Sequence, residues 1–159
     1  KVEYCRIGMD MSLSWDDKPY MRLFHSERPS TQNTVLNTVF RRQLSGRAFL
    51  NDPDGFLLRD RNTALSPEQK STLAAANALF GGLLFVSDDF SEYSEKQLSE
   101  YKTVLALSER AENISVSPAA APTVTYTLDG ERKTLKLDCK LHKITQPAYA
   151  NSRLRVFNL

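Results

Sequence analysis

The sequence predicts an α/β section followed by a small β section. Three observations carry this: apolar strand-length runs alternate with helix-period segments through the first 112 residues, each run ends in a polar tip containing aspartate, and from about Asn113 onward the pattern turns to simple alternation with no helix period. The expected boundaries are residues 1–112 for the first section and 113–159 for the second.

The first run, residues 2–7, is strand-like, and Gly8 lets the chain turn into Met9 and Asp10. Residues 11–29, which include Trp15, Asp16, Asp17, Lys18 and Pro19, read as a long loop, a length that in a compact domain marks function or disorder. Ser30 is an expected N-cap. Val35, Leu36, Val39, Phe40 and Leu44 then recur at helical spacing up to Gly46. Residues 48–50 form a short apolar strand that should stop at the turn cluster Asn51 to Gly55, and residues 56–59 resume apolar character. Ser66-Pro67-Glu68-Gln69 is a capping box with proline at the first helical position, and Gly81-Gly82 supplies the stop. A third strand, 83–86, ends at Ser87-Asp88-Asp89. Ser94-Glu95-Lys96-Gln97 caps a helix whose apolar face is Leu98, Tyr101, Val104 and Leu105. Beyond the linker-like residues 117–122, the stretch 123–128, the Asp129-Gly130 turn and Leu135 and Leu137 read as an antiparallel hairpin.

Strands alternating with helices imply parallel pairing and right-handed crossovers, which gather working residues at the carboxyl ends of the strands. Asp10, Asp52 and Asp88 all fall there. Three strands do not close a barrel, so the section is either a small open sheet or the last part of a (β/α)8 barrel. The abrupt start at Lys1, with no initiator methionine and no cap or turn before the first strand, favours a truncated barrel and leaves any signal peptide unassessable.

Composition excludes several classes. The net charge of +2 is spread over interleaved acids and bases, without the basic stripe that nucleic acid requires. No apolar run has the length to span a bilayer. Cys5 and Cys139 lie far apart with no metal-ligand spacing and read as packed thiols, a usage that fits a reducing compartment. His25 and His142 are isolated, and Ser12, Ser14 and Ser87 lack a nucleophile elbow.

Three motifs in order resemble one family. Tyr4-Cys5-Arg6-Ile7-Gly8-Met9-Asp10 with Leu13-Ser14-Trp15-Asp16-Asp17, then Gly46 to Asp54, then Leu83 to Asp89, resemble the last barrel strands of clan-D α-galactosidases (melibiases, glycoside hydrolase family 36). The likeness covers the first two-thirds of the chain, and Met9 departs from it at a position often held by cysteine. It implies the C-terminal strands and helices of a (β/α)8 barrel plus a small antiparallel, sandwich-like β domain, in a fragment of a retaining exo-glycosidase that acts on α-galactoside oligosaccharides. Asp10 is then the general acid/base. The nucleophilic aspartate lies on an earlier strand, so the chain alone is expected to be inactive.

Retention places the two carboxyl groups roughly 5 Å apart, and burial beside Trp15 and a second carboxylate would raise the acid's affinity for its proton. Arg6 would bond the 2-hydroxyl of galactose and Asp10, and Trp15 would either offer an apolar platform to the sugar ring or pack its own loop. Asn51, Asp52 and Asp54, together with Asp88, would hold Asp10 and the sugar subsite in place, the alternative for the Asn51 to Asp54 cluster being a hydrogen-bonded turn that merely ends a strand. A divalent-cation site among Asp52, Asp54, Asp88 and Asp89 ranks lower, since no EF-hand spacing is present, and no cofactor is expected. The expected partners are the galactoside and the remainder of the same enzyme chain, with room for a homo-oligomer and neither nucleic acid nor membrane. A bacterial cytoplasmic location follows from the same likeness. The alternatives are a noncatalytic carbohydrate-binding or interaction module, and a parent enzyme that transfers galactose to acceptors other than water.

Overall fold

A computed structural model describes residues 2–15, 29–117 and 122–137. The elements run β1 (Tyr4–Arg6), α1 (Thr31–Phe40), β2 (Leu50–Asp52), β3 (Gly55–Phe56), α2 (Pro67–Phe80), β4 (Phe85–Val86), α3 (Glu95–Arg110), β5 (Glu112–Val116), β6 (Thr123–Leu128) and β7 (Glu131–Lys136). The result is a mixed helix and strand fold with short sheets and one three-stranded antiparallel sheet. The expected loop segment with Asp16, Asp17, Lys18, Pro19 and His25 lies largely outside the described residues, as do Cys139 and His142.

The predicted strand and helix alternation is present, and its strands pair parallel. β1 pairs with β2 in the register Tyr4 to Leu50, Cys5 to Asn51 and Arg6 to Asp52; β3 pairs with β4, Gly55 facing Phe85 and Phe56 facing Val86. The middle strand was expected to end at Leu50. Instead Asn51 and Asp52 continue it, because Asn51 buries its side chain and donates from Nδ2 to the Arg41 carbonyl at 3.1 Å; the break falls at Pro53, which has no N–H to give to a ladder. That two-residue extension sets Asp52 directly opposite Arg6.

All three helices begin where their caps predict. Ser30, Ser66 and Ser94 accept from the backbone N–H three residues on, and Gln69 and Gln97 complete their capping boxes. Their ends differ from expectation. α1 stops at Phe40 rather than Leu44, since the Arg41 carbonyl is taken by Asn51 and the Arg41 guanidinium reaches across to the Ile7 carbonyl; a 3-10 turn, Arg42–Leu44, follows. Gly81 is not a left-handed stop. Its φ is −78°, and the two glycines are needed for close approach: a Cβ on Gly81 would lie 2.6 Å from the Asn77 carbonyl oxygen, and one on Gly82 would lie 2.6 Å from Leu50 Cβ. In α3, Leu98 is exposed and Leu107 is buried in its place, while Gln97 turns inward to donate to the Leu58 carbonyl at 2.9 Å.

One core cluster joins Val35, Leu36 and Val39 of α1, Leu73, Ala74 and Ala76 of α2, Phe56 and Leu58, and Val104 and Leu107 of α3. Val124, Leu128 and Leu137 from the antiparallel sheet belong to it too. Each large side chain fully buried there contributes about 1.5–3 kcal/mol. β6 and β7 are joined by Asp129 and Gly130, both at positive φ (54° and 81°), the geometry a tight two-residue hairpin requires. β5, not foreseen as a strand, pairs with β6 across an irregularity between Glu112 and Ser115, where Asn113 has φ 52°.

Candidate active site

Arg6 is the last residue of β1, Asp52 ends its partner β2, and Asp54 sits in the turn between β2 and β3. Alternation on a strand puts Tyr4 and Arg6 on one face, away from Cys5. The Arg6 guanidinium therefore projects beside the carboxyl end of the pair and meets three carboxylates at once: Nη1 lies 2.7 Å from Asp10 Oδ1, Nε lies 3.0 Å from Asp52 Oδ2, and Nη2 lies 3.2 Å from Asp54 Oδ1. Partial burial opposes its charge, yet the hydrogen bond to Asp52 and the charges of Asp54, Asp52 and Asp10 outweigh it and raise the guanidinium's pKa. The cation fills the space among the carboxylates that a divalent ion would need, and no group of three or more His, Cys, Asp and Glu among the described residues is placed to hold a metal.

The backbone that carries Asp10 is clamped from two sides. From α1, Thr34 Oγ1 donates to the Met9 carbonyl at 2.9 Å, Ser30 N–H donates to the Asp10 carbonyl at 3.2 Å, and Thr31 Oγ1 both accepts from Ser12 N–H at 3.0 Å and donates to the Ser12 carbonyl at 2.6 Å. From the β2–β3 turn, Asp54 Oδ2 accepts the Met11 N–H at 2.7 Å. These bonds explain why α1 buries the hydroxyls of Thr31 and Thr34, which a core helix would otherwise avoid. The Asp10 side chain itself is 75% exposed and has Arg6 as its partner. Burial beside Trp15 was expected for this carboxyl; Trp15 is half-buried and packs against the hydrophobic core, with its carbonyl accepting the Gln32 N–H at 3.2 Å.

Asp88 belongs to a second constellation. It follows β4, and its side chain is 1% exposed, accepting the Leu58 N–H at 2.5 Å, the Arg59 N–H at 3.0 Å, Arg59 Nη1 at 2.7 Å and the Tyr93 hydroxyl at 2.6 Å. Burial pushes its carboxyl up, but the bonds from Tyr93, the two backbone groups and Arg59 prevail and hold it below the usual aspartate range. Burial, followed by that bond to the carboxylate, drives the Tyr93 phenol well above its ordinary value. So Arg6, Asp10, Asp52 and Asp54 are brought together, while the contacts of Asp88 run to Arg59 and Tyr93 instead.

Sequence reading missed Thr31, Thr34, Asn77, Arg59 and Tyr93. Only Arg59 carried a signal, as the polar residue ending the apolar run 56–58. Cys5, on the opposite face of β1 from Arg6, is a free thiol. None of the described helices is long and apolar enough to cross a membrane.

No protein-family model matches the sequence. Among solved structures, the chain is similar to TtGalA, an α-galactosidase from Thermus thermophilus in complex with p-nitrophenyl α-D-galactopyranoside, with a TM-score of 0.56 and 21% identity over 78% of this chain and 24% of that one. The likeness is one of fold. The chain spans about a quarter of that enzyme's length.

Proposed function

We propose that this chain is the acid/base-bearing part of a retaining α-galactosidase. In this reading residues 1–112 are the last strands and helices of a (β/α)8 barrel and residues 113–159 a C-terminal β domain, with a nucleophilic aspartate on an earlier strand of the longer protein. That aspartate attacks the anomeric carbon as Asp10 gives its proton to the departing glycosidic oxygen; Asp10 then takes a proton from the water that releases galactose. Arg6 and Trp15 contact the sugar, Asp52 and Asp54 fix Arg6, and Asp88 holds the neighbouring strand end. The substrate is an α-galactoside oligosaccharide.

One observation carries the reading: a single exposed carboxylate, Asp10, stands on clamped backbone at the carboxyl end of a parallel pair, gripped at 2.7 Å by an arginine that two further aspartates anchor. The fold likeness to part of an α-galactosidase supports it. Chemical rescue tests it. In the full-length enzyme, Asp10→Ala should lose turnover at the water-dependent step, and azide, which needs no base, should restore it and yield galactosyl azide of retained α configuration. Azide without effect, or product of inverted configuration, would remove Asp10 from the acid/base role. The openness of Asp10 and Arg6 favours a second reading, a noncatalytic carbohydrate-binding module, under which the chain by itself binds α-galactosides and Asp10→Ala alters affinity alone.

A further inference from the structure

Asn77 lies in α2, among alanines, with a side chain that is 0% exposed. An amide there is costly, and the more so because its Oδ1 has no hydrogen-bond partner. Ala74, Ala76 and Ala78 show that this stretch of helix packs well with apolar residues. What the amide does is specific: Nδ2 donates to the Asp54 carbonyl at 3.0 Å and to the Gly55 carbonyl at 3.3 Å. The residue it grips has φ 74°, a left-handed conformation that a non-glycine residue keeps only where its surroundings impose it. Asp52 Oδ1 holds the other side of that residue by accepting the Asp54 N–H at 2.9 Å.

With its backbone fixed at both ends, the Asp54 carboxylate is aimed at two targets, the Met11 N–H at 2.7 Å and Arg6 Nη2 at 3.2 Å. Met11 adjoins Asp10, and Arg6 grips the Asp10 carboxylate. One helix amide thus governs, through one turn, both the main chain and the cation that orient Asp10. We infer that Asn77 is a positioning residue for the acid/base, acting through Asp54. The inference rests on the glycosidase reading given above.

A misplaced acid hurts departure of a poor leaving group far more than of an activated one, whereas a general loss of structure lowers both alike. In the full-length enzyme, Asn77→Ala is expected to lower kcat/KM, which reports departure of the leaving group, about tenfold or more on an alkyl or sugar galactoside but less than about threefold on p-nitrophenyl α-galactoside. Asp54→Gly, which suits the positive φ and so protects folding, should give the same selective loss. In the chain itself, Asn77→Ala should speed exchange of the Met11 amide about tenfold while the amides of Val104 and Leu107 keep their rates. Equal losses on both substrates, or an unchanged Met11 amide, would overturn the inference. Asp10→Asn is the control: if it keeps full turnover the glycosidase reading falls, and if it collapses while Asn77→Ala shows no selectivity, only the role of Asn77 falls.

Discussion

Two aspartate and arginine pairs stand at strand ends of this fold, and they are built in opposite ways. Arg6 and Asp10 lie at the open end of the β1–β2 pair, with the Asp10 side chain 75% exposed; Arg59 and Asp88 lie at the β3–β4 end, with Asp88 1% exposed and four donors directed at its carboxylate. At the first site the polar contacts secure the backbone and leave the carboxyl reachable. At the second they consume the carboxyl itself. The residue types are the same in both and each aspartate follows a strand, so burial and partner count decide which carboxyl stays open and which ties strands together.

The largest effect that sharpens this contrast is on stability. Asp88→Ala leaves Arg59, the Tyr93 hydroxyl and two backbone N–H groups without their shared acceptor, and breaking a buried pair in this way costs about 3–5 kcal/mol. Asp10→Ala removes an exposed pair and should cost less than about 1 kcal/mol. Urea denaturation of both variants measures the difference; comparable losses would erase the distinction.

A packing change should come next. Gly82→Ala drives a methyl group against Leu50 Cβ and the Asn51 N–H, where β2 meets the start of the β4 segment, and should cost about 1–3 kcal/mol by the same measurement. Loss of the Ser94 cap in Ser94→Ala should cost about 1 kcal/mol and leave both aspartate sites intact.

Within the buried site the pH dependence has two components of opposite sign. Asp88 has a lower pKa folded than unfolded, so the unfolded chain binds more protons in the interval between, and stability rises with pH there. Its contribution is complete above the unfolded aspartate value of about 3.9 and is lost as pH falls through the lower folded value. Tyr93 behaves in the opposite sense: its raised pKa gives stability that is present below about pH 10 and lost as pH climbs through the folded value. Denaturation midpoints of the parent and of Asp88→Asn, followed from neutral to acid pH, should converge as the Asp88 contribution vanishes.

The contrast also marks what could be read in the sequence. Capping serines, the Asp129-Gly130 turn and the strand and helix alternation were legible because each depends on residues within a few positions of one another. Arg6, Asp10, Asp52 and Asp54 were found as motif residues at strand ends. Their mutual geometry was not, since it depends on the register that sets Asp52 opposite Arg6, and that register follows from Asn51 continuing a strand its turn-like composition argued against. Asn77 and Thr34 left no signal, because a polar residue within a helix reads as solvent-facing until tertiary contacts turn it inward. The separation of Asp88 from the Asp10 group was equally hidden, as burial belongs to the packing of β4 and α3 and not to the sequence near Asp88.

The account rests on the open carboxylate being the one that works. The most direct measurement is kcat of Asp10→Asn in the full-length enzyme on a galactoside with a poor leaving group, compared with the parent at matched stability. A fall of about 10²–10⁴-fold, the contribution typical of a general acid, is expected. Undiminished turnover would contradict it.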